Sequence, residues 1–347
     1  MRLDGEVLAL ADDASKELTR FDAEAGMVVA PFAAVLLRTE SASSSEVENV
    51  TASAKQVALA EIGAARSGNA DLVVGNVRAM TSAVDLADRL DEDAVIAMHD
   101  ALLAASAPHI VGNWRDQQVW IGGGSISPHH AAFVPPHHER VPRLMSDLIE
   151  FAHRTDIPAL VQAAIAHAQF ETIHPFPDGN GRTGRALLQG MLRAAGVTQN
   201  VAVPVSAGLL SDLDGYFDAL TRYREGDPVP IVATVAQAAF SAITNGRSLV
   251  QEIQAASSRW RGEVTARSDS SVFRLMEHLL RQPVVNTKSV AEALEISQVA
   301  AQTSIDQLVD VGVLTKIAGG ARYRIWQATE ILAALDAFAS RARRNRP

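Results

Sequence analysis

Ile173-His174-Pro175-Phe176-Pro177-Asp178-Gly179-Asn180-Gly181-Arg182-Thr183-Gly184-Arg185 is the stretch on which the reading of this chain turns. A proline pushes the residue before it out of the α region, so a preceding helix should stop near Thr172 and leave His174 and Phe176 extended. Phe176 is the bulky aromatic of the loop and is expected to pin it to the core. In Asp178-Gly179-Asn180-Gly181 the glycines allow positive φ and a close approach of ligand to backbone. A helix should resume around Arg182, with Leu187, Leu188, Met191 and Leu192 for the core and Gly196 as its stop.

A glycine-rich loop that opens a helix presents free N–H groups and the positive end of the dipole, an anion site. Arg182 and Arg185, three apart, point to the same side of the first turn. Two forked guanidiniums at an amide nest imply more than one phosphate. Asp178 would repel those phosphates unless a Mg²⁺ ion bridges them, and Mg²⁺ favours one or two carboxylates plus phosphate oxygens. His174 stands at the mouth of the loop. With an ordinary pKa of about 6.5 it can be neutral at pH 7 and accept a proton from a hydroxyl.

Outward from the loop, residues 141–154 and 158–172 read as helices, the second with Leu160, Val161, Ala164, Ile165 and Ala168 on one face. Val119-Trp120-Ile121-Gly122-Gly123-Gly124 and Ala132-Phe133-Val134-Pro135-Pro136 read as a β-hairpin. The first hundred residues read as helices. One amphipathic segment, with Val57, Leu59, Ile62 and Ala65, is placed to begin near the serine run 41–45, whose hydroxyls ahead of Glu46 and Glu48 look like a helix start. After a helix at 232–256, residues 257–270 read as a polar linker. Helices at 272–281, 287–294 and 297–309 and a hairpin, 313–317 with 322–326 around the turn Ala318-Gly319-Gly320, then suggest a winged helix-turn-helix. A last helix, 329–339, leads to a basic tail with Arg341, Arg343, Arg344 and Arg346. The division is therefore 1–95, an N-terminal helical region; 96–256, a mainly α core with its hairpin; 257–270, a linker; and 271–347, the winged helix with its tail.

The chain has 347 residues, 48% hydrophobic and 20% charged, ordinary for a soluble domain with a core. A net charge of −9 argues against a surface coated uniformly for nucleic acid. Residues 270–347 carry ten Lys/Arg against seven Asp/Glu, so the basic excess lies there. The sequence contains no cysteine, which excludes disulfides, thiolate nucleophiles and sulfur-built zinc sites. The N-terminus lacks the basic start and apolar run of a signal peptide, and the apolar stretch 26–37 is too short to span a bilayer. A cytoplasmic protein with no membrane partner is the expectation. His167 and the pairs His129-His130 and His137-His138 read as helix-face and exposed histidines, because no acid or thiol completes a ligand set.

The loop resembles, without a gap, the Fic-family signature H-x-F-x-[DE]-G-N-G-R-x-x-R, and the resemblance covers roughly residues 97–239. It implies a helical Fic fold with a β-hairpin flap, and AMP transfer from ATP to a Tyr, Ser or Thr hydroxyl of a target protein. His174 would be the general base and Asp178 the Mg²⁺ ligand. Gly179, Asn180 and Gly181 would cradle the phosphates, which Arg182 and Arg185 neutralise, with Thr183 and Gly184 in the same turn. Val119, Trp120, Ile121 and Gly122 of the flap would dock the target by strand addition. Tyr216, Phe217 and Arg224 would line the adenine pocket, where the family usually has paired tyrosines, so Phe217 departs from it. Intact glycines and Arg182 favour AMP over other transferred groups. Ser44-Ser45-Glu46-Val47-Glu48-Asn49 fits the family's inhibitory pattern [ST]-x-x-x-E-[GN]. Ser44, Glu48 and Asn49 would then form a lock in which Glu48 pairs with Arg185 in place of the γ-phosphate.

Two alternatives stay open at this point: a DNA-binding regulator whose Fic site senses ATP, and a Fic enzyme that mainly removes AMP or uses another donor. The recognition helix at 297–309 has Gln and Ser for base edges but no Lys or Arg, so DNA binding competes with partner contacts. The family resemblance also suggests a homodimer.

Overall fold

Short polar residues decide where many of the helices start. Ser53 and Asn286 form capping boxes, and Asp91, Asp212, Ser270 and Ser297 each accept a backbone N–H of the first turn they precede. The structure, a computed structural model, describes residues 3–27, 32–64, 68–122, 128–265, 270–318 and 324–343. Its helices are α1 (Gly5–Met27), α2 (Phe32–Val47), α3 (Ala54–Glu61), α4 (Gly68–Asp85) and α5 (Glu92–Leu103). Next come α6 (Val141–Ala152), α7 (Ala159–Ile173), α8 (Asn180–Ala194), α9 (Val205–Leu209) and α10 (Leu213–Arg224). The last are α11 (Val229–Glu263), α12 (Ser271–Arg281), α13 (Thr287–Leu294), α14 (Gln298–Asp310) and α15 (Thr329–Arg343).

Helix α7 is apolar on nearly every side and is therefore the centre of the fold, with α8, α11, α6 and α1 packed around it. Helix α11 is long and apolar enough to cross a membrane by length and composition, but 56% of its apolar window is buried within the fold. It continues through 257–263, the first half of the expected linker. The cause is Trp260, which is buried and donates its indole N–H to Glu330 of α15 at 3.3 Å.

Two further expectations need correction. The serine run does not open a helix: it lies in the C-terminal half of α2. Its hydroxyls bond back along the helix, Ser41 Oγ to Leu37 O at 2.8 Å and Ser45 Oγ to Ser41 O at 2.9 Å. The flap is also less regular than a hairpin. Among the described residues its arms share one bridge, Ile121 with Phe133. Pro135 and Pro136 have no N–H to continue a ladder, and their carbonyls accept side-chain donors from Gln118 and Arg115 instead. Gly123 and Gly124 lie outside the described residues.

Beyond α12 the order is β1 (Val284–Val285), α13, α14, β2 (Thr315–Ala318) and β3 (Ile325–Gln327). The three strands form an antiparallel sheet in the order β1-β3-β2, with Val285 opposite Trp326 and Lys316 opposite Trp326 on the other side. The two-residue β1 is too short to announce itself by alternation. The rest of the wing turn with Arg322, and the tail residues Arg344 and Arg346, fall outside the described residues. One apolar cluster runs from Val7 to Ala342, so this C-terminal part shares the core of the rest. Polar contacts tie it to α2 and α3: Arg38 donates to Gln282 at 3.1 Å, Gln282 to Ala58 O at 2.8 Å, and Arg343 pairs with Glu46.

Candidate active site

The loop between α7 and α8 is held by its own chain and by residues far away in sequence. His174 is not extended. It closes α7 in the left-handed region, at φ 51 and ψ 62, with its N–H on Phe170 O at 2.8 Å. For a non-glycine residue that conformation costs about 1–2 kcal/mol and needs support. Arg115 gives much of it. This buried guanidinium donates to His174 O at 2.8 Å, Gln117 O at 2.8 Å and Pro136 O at 2.5 Å, stapling the histidine loop to the base of the flap. Asn180 turns its side chain back on the loop, accepting from Phe176 N at 2.9 Å and donating to Phe176 O at 2.8 Å. His99 of α5 stacks on the Phe176 ring at 3.7 Å and bonds Asp178 O at 3.0 Å.

Gly179 caps α8 with φ 80, a conformation L side chains rarely adopt, and its N–H donates to Asp178 Oδ1 at 2.6 Å. The Asp178 carboxylate is otherwise turned to solvent, 67% exposed and 3.8 Å from Arg182 Nη2. Arg182 is buried, and its Nε and Nη1 have no hydrogen-bond partner among the described residues. A buried guanidinium with two such free donors at a helix N-terminus fits an anion. Asp178 sets a carboxylate against it, and one or two carboxylates with phosphate oxygens suit Mg²⁺. The group of His and Glu side chains close enough for a metal ion, His137, His138 and Glu139, sits beyond the flap and not at this loop. Thr183 is buried, and Gly184 faces α7, where an added Cβ would meet Phe170, Glu171 and His167.

Arg185 is already engaged. It is 2% exposed and gives Nε to Ser44 Oγ at 2.9 Å, Nη2 to Ser44 O at 2.7 Å and Nη2 to Glu48 Oε1 at 2.9 Å. Burial works against its charge, but Glu48, Tyr216 and Glu171 beside it more than offset that and hold its pKa above the ordinary value. The Glu48 carboxylate lies directly on the loop: a Cβ added at Gly181 would stand 1.9 Å from Glu48 Oε1. Asn49 follows with φ 59, left-handed geometry that Asn and Gly tolerate best, so the chain turns out of α2 and leaves Glu48 aimed at α8. Earlier on α2, buried Glu40 accepts from Gln189 Nε2 at 3.0 Å and from Ser206 Oγ at 2.7 Å. Burial pushes its pKa up to about 7 despite these bonds. Residues 40 and 44 on one face of α2, with Glu48 in the turn just after it, thus grip Gln189 and Arg185 of α8.

His174 is neutral: burial lowers its pKa to about 4. His167 is a core histidine, bonded to the Tyr216 hydroxyl at 2.7 Å and lowered by burial to about 3. Tyr216 is therefore interior, while Phe217 is largely exposed on the same helix. Arg224 lies 4.1 Å over the Phe133 ring and so joins α10 to the flap. The loop brings His174, Asp178, Arg182, Arg185 and Glu48 together. Arg115, His99, Glu40 and Glu171 were not anticipated.

Comparison with known proteins agrees with this geometry. The Fic/DOC family pattern matches residues 89–192. Protein adenylyltransferase fic-1 of Caenorhabditis elegans is 30% identical over 153 residues, 43% of this chain and 27% of that protein. Protein adenylyltransferase Fic of Nematostella vectensis is 30% identical over 149 residues, 42% of this chain and 31% of that protein. The matches thus span under a third of these relatives' length. Among solved structures, a Fic family protein from Desulfovibrio desulfuricans G20 superposes with a TM-score of 0.62 at 20% identity, covering 94% of this chain and 97% of that one. Fic-1 from C. elegans gives 0.52 at 22% identity, over 71% and 74%. Residues 89–192 thus match the Fic/DOC family pattern, and the helical architecture is similar to that of Fic proteins of known structure.

Proposed function

We propose that the chain is a protein adenylyltransferase that moves AMP from ATP to a hydroxyl of a target protein, and that Glu48 holds it off. The observation that carries this reading is the buried Arg182 at the start of α8, its Nε and Nη1 without a hydrogen-bond partner among the described residues, beside a neutral His174. Neutral His174 takes the proton of the target hydroxyl, whose oxygen forms the new bond to the α-phosphorus while the bond to the pyrophosphate oxygen breaks. Arg182 and the Gly179–Gly181 amides neutralise the phosphates, so catalysis comes mainly from positioning and charge. Asp178 would hold Mg²⁺, which supplies further charge neutralisation on the phosphates when bound. Glu48 occupies the Arg185 fork that a γ-phosphate needs, and the flap at 119–122 takes the target chain by strand addition.

The test compares wild type, Glu48→Gly and Glu48→Gly/His174→Ala, each incubated in cell lysate with Mg²⁺ and ATP labelled at the α-phosphate. The reading expects protein labelling that is strong, relative to wild type, in Glu48→Gly and absent in the double variant. Equal labelling with and without His174 would overturn its role as base.

A further inference from the structure

Glu171 precedes His174 by one helical turn and is only 6% exposed, yet no neutral partner explains an acid in that place. Its Oε1 has no hydrogen-bond partner, and its Oε2 lies 4.0 Å from His174 Nδ1, which also lacks one among the described residues. Arg185, the cation that acts on it most strongly, spends its bonds on Ser44 and Glu48 instead. The carboxyl has room because residue 184 is glycine: a Cβ there would stand 3.0 Å from Glu171 Oε1. A buried carboxyl without a partner costs about 1–3 kcal/mol, so a purely structural role is a poor account of it.

We infer that Glu171 is a positioning residue for the base: its carboxylate, 4.0 Å from Nδ1, favours by its charge the His174 tautomer with a proton on Nδ1 and offsets the imidazolium charge when Nε2 takes the target's proton. This rests on His174 being the base. A partly enclosed histidine such as this one gains charge only at a desolvation cost, and an ionised carboxylate beside it reduces that cost. The backbone carbonyl of Glu171 faces the same ring, so one residue both orients and balances it. The step is balanced: the proton goes from the target hydroxyl to Nε2, the Nδ1 proton stays, and Glu171 remains an anion throughout.

Only ionised Glu171 can act this way. Burial raises its carboxyl to about 7; Arg185 of α8 and Arg224 of α10 pull it down, Glu48 at the end of α2 pushes it up, and the Tyr216 hydroxyl shares the same space. As pH falls, Glu171 is protonated while His174 is still neutral, so transfer should weaken well above the pH at which the base itself is lost.

The experiment uses the full chain. In the Glu48→Gly background, transfer is followed from pH 5.5 to 8.5 for Glu171→Gln, Glu171→Asp and His174→Ala. Separately, His174 ring resonances of otherwise wild-type protein are titrated by NMR with and without Glu171→Gln. The expected results are about a tenfold or larger drop in kcat for Glu171→Gln with KM for ATP little changed, loss of the acid limb, and partial recovery in Glu171→Asp. The His174 resonances should show an inflection near pH 7 that Glu171→Gln removes. A Glu171→Gln enzyme with unchanged kcat and acid limb, or His174 resonances blind to the substitution, would overturn the inference. Label retained in His174→Ala would instead sink the base assignment, and the NMR titration still decides the Glu171–His174 coupling if no variant transfers label.

Discussion

Replacing Glu48 by glycine should unlock the site by an amount that the geometry bounds. The substitution removes one charge-assisted hydrogen bond, Arg185 Nη2 to Glu48 Oε1 at 2.9 Å. Such bonds contribute about 1.5–3 kcal/mol. The Arg185 end is buried but the Glu48 side chain is 39% exposed, so solvent screening argues for the lower half of that range, about 1.5–2 kcal/mol. At about 1.4 kcal/mol per decade, the open population rises roughly 10- to 30-fold. Arg185 should stay in place, because Ser44 still takes both its Nε and Nη2. Glu48→Gln keeps a neutral bond and should gain only a few-fold. The assay is the initial rate of label transfer from α-labelled ATP at saturating nucleotide, with ATP binding checked by calorimetry. A Glu48→Gly rate within twofold of wild type, with ATP bound normally, would refute the lock.

Three further outcomes follow from the structure. Arg115→Met strips the carbonyls of His174, Gln117 and Pro136 of their donor, so chemical denaturation should show a loss of about 3 kcal/mol or more and transfer should fall in the unlocked background; an unchanged midpoint would contradict the staple. Gly181→Ala puts a methyl where the Glu48 carboxylate sits, so Glu48→Gly should cost about 1.5–2 kcal/mol in wild type and almost nothing on top of Gly181→Ala; additive effects would show that the two do not touch. His278, lowered by burial to about 4, binds its proton more readily when unfolded, so its contribution is full above pH 6.5 and is lost as pH falls towards 4. His278→Phe should therefore gain about 1–2 kcal/mol relative to wild type between pH 8 and pH 5, read from urea denaturation at both pH values, and a constant difference would refute the shift.

The loop was legible because its chemistry is local. Gly179 needs its positive φ, the arginines are spaced by one turn, and the proline ends α7 where expected, so the same residues declare both the turn and the candidate anion site. The Glu48–Arg185 contact was legible for a similar reason, since Asn49 is the left-handed turn that aims Glu48. What escaped is non-local or ambiguous. Nothing near Arg115 shows that it will bridge to His174, 59 residues on. Glu171 reads in sequence like any polar residue on a helix, and only the packing of α8 and α10 reveals that it is enclosed. The serine run carries the residues of an N-cap, yet back-bonding to the preceding turn lets it sit inside α2. His174 defies its proline because Arg115 and Asn180 hold the loop from both sides, strain that a dipeptide rule does not contain.

The measurement that bears most directly on the central claim asks which part of ATP is transferred. Glu48→Gly protein is incubated with Mg²⁺ and cell lysate, once with ATP labelled at the α-phosphate and once at the γ-phosphate, each beside Glu48→Gly/His174→Ala. The account predicts His174-dependent label on protein from the α-phosphate and none from the γ-phosphate. Label arriving from the γ-phosphate, or none from either while ATP is bound, would contradict it.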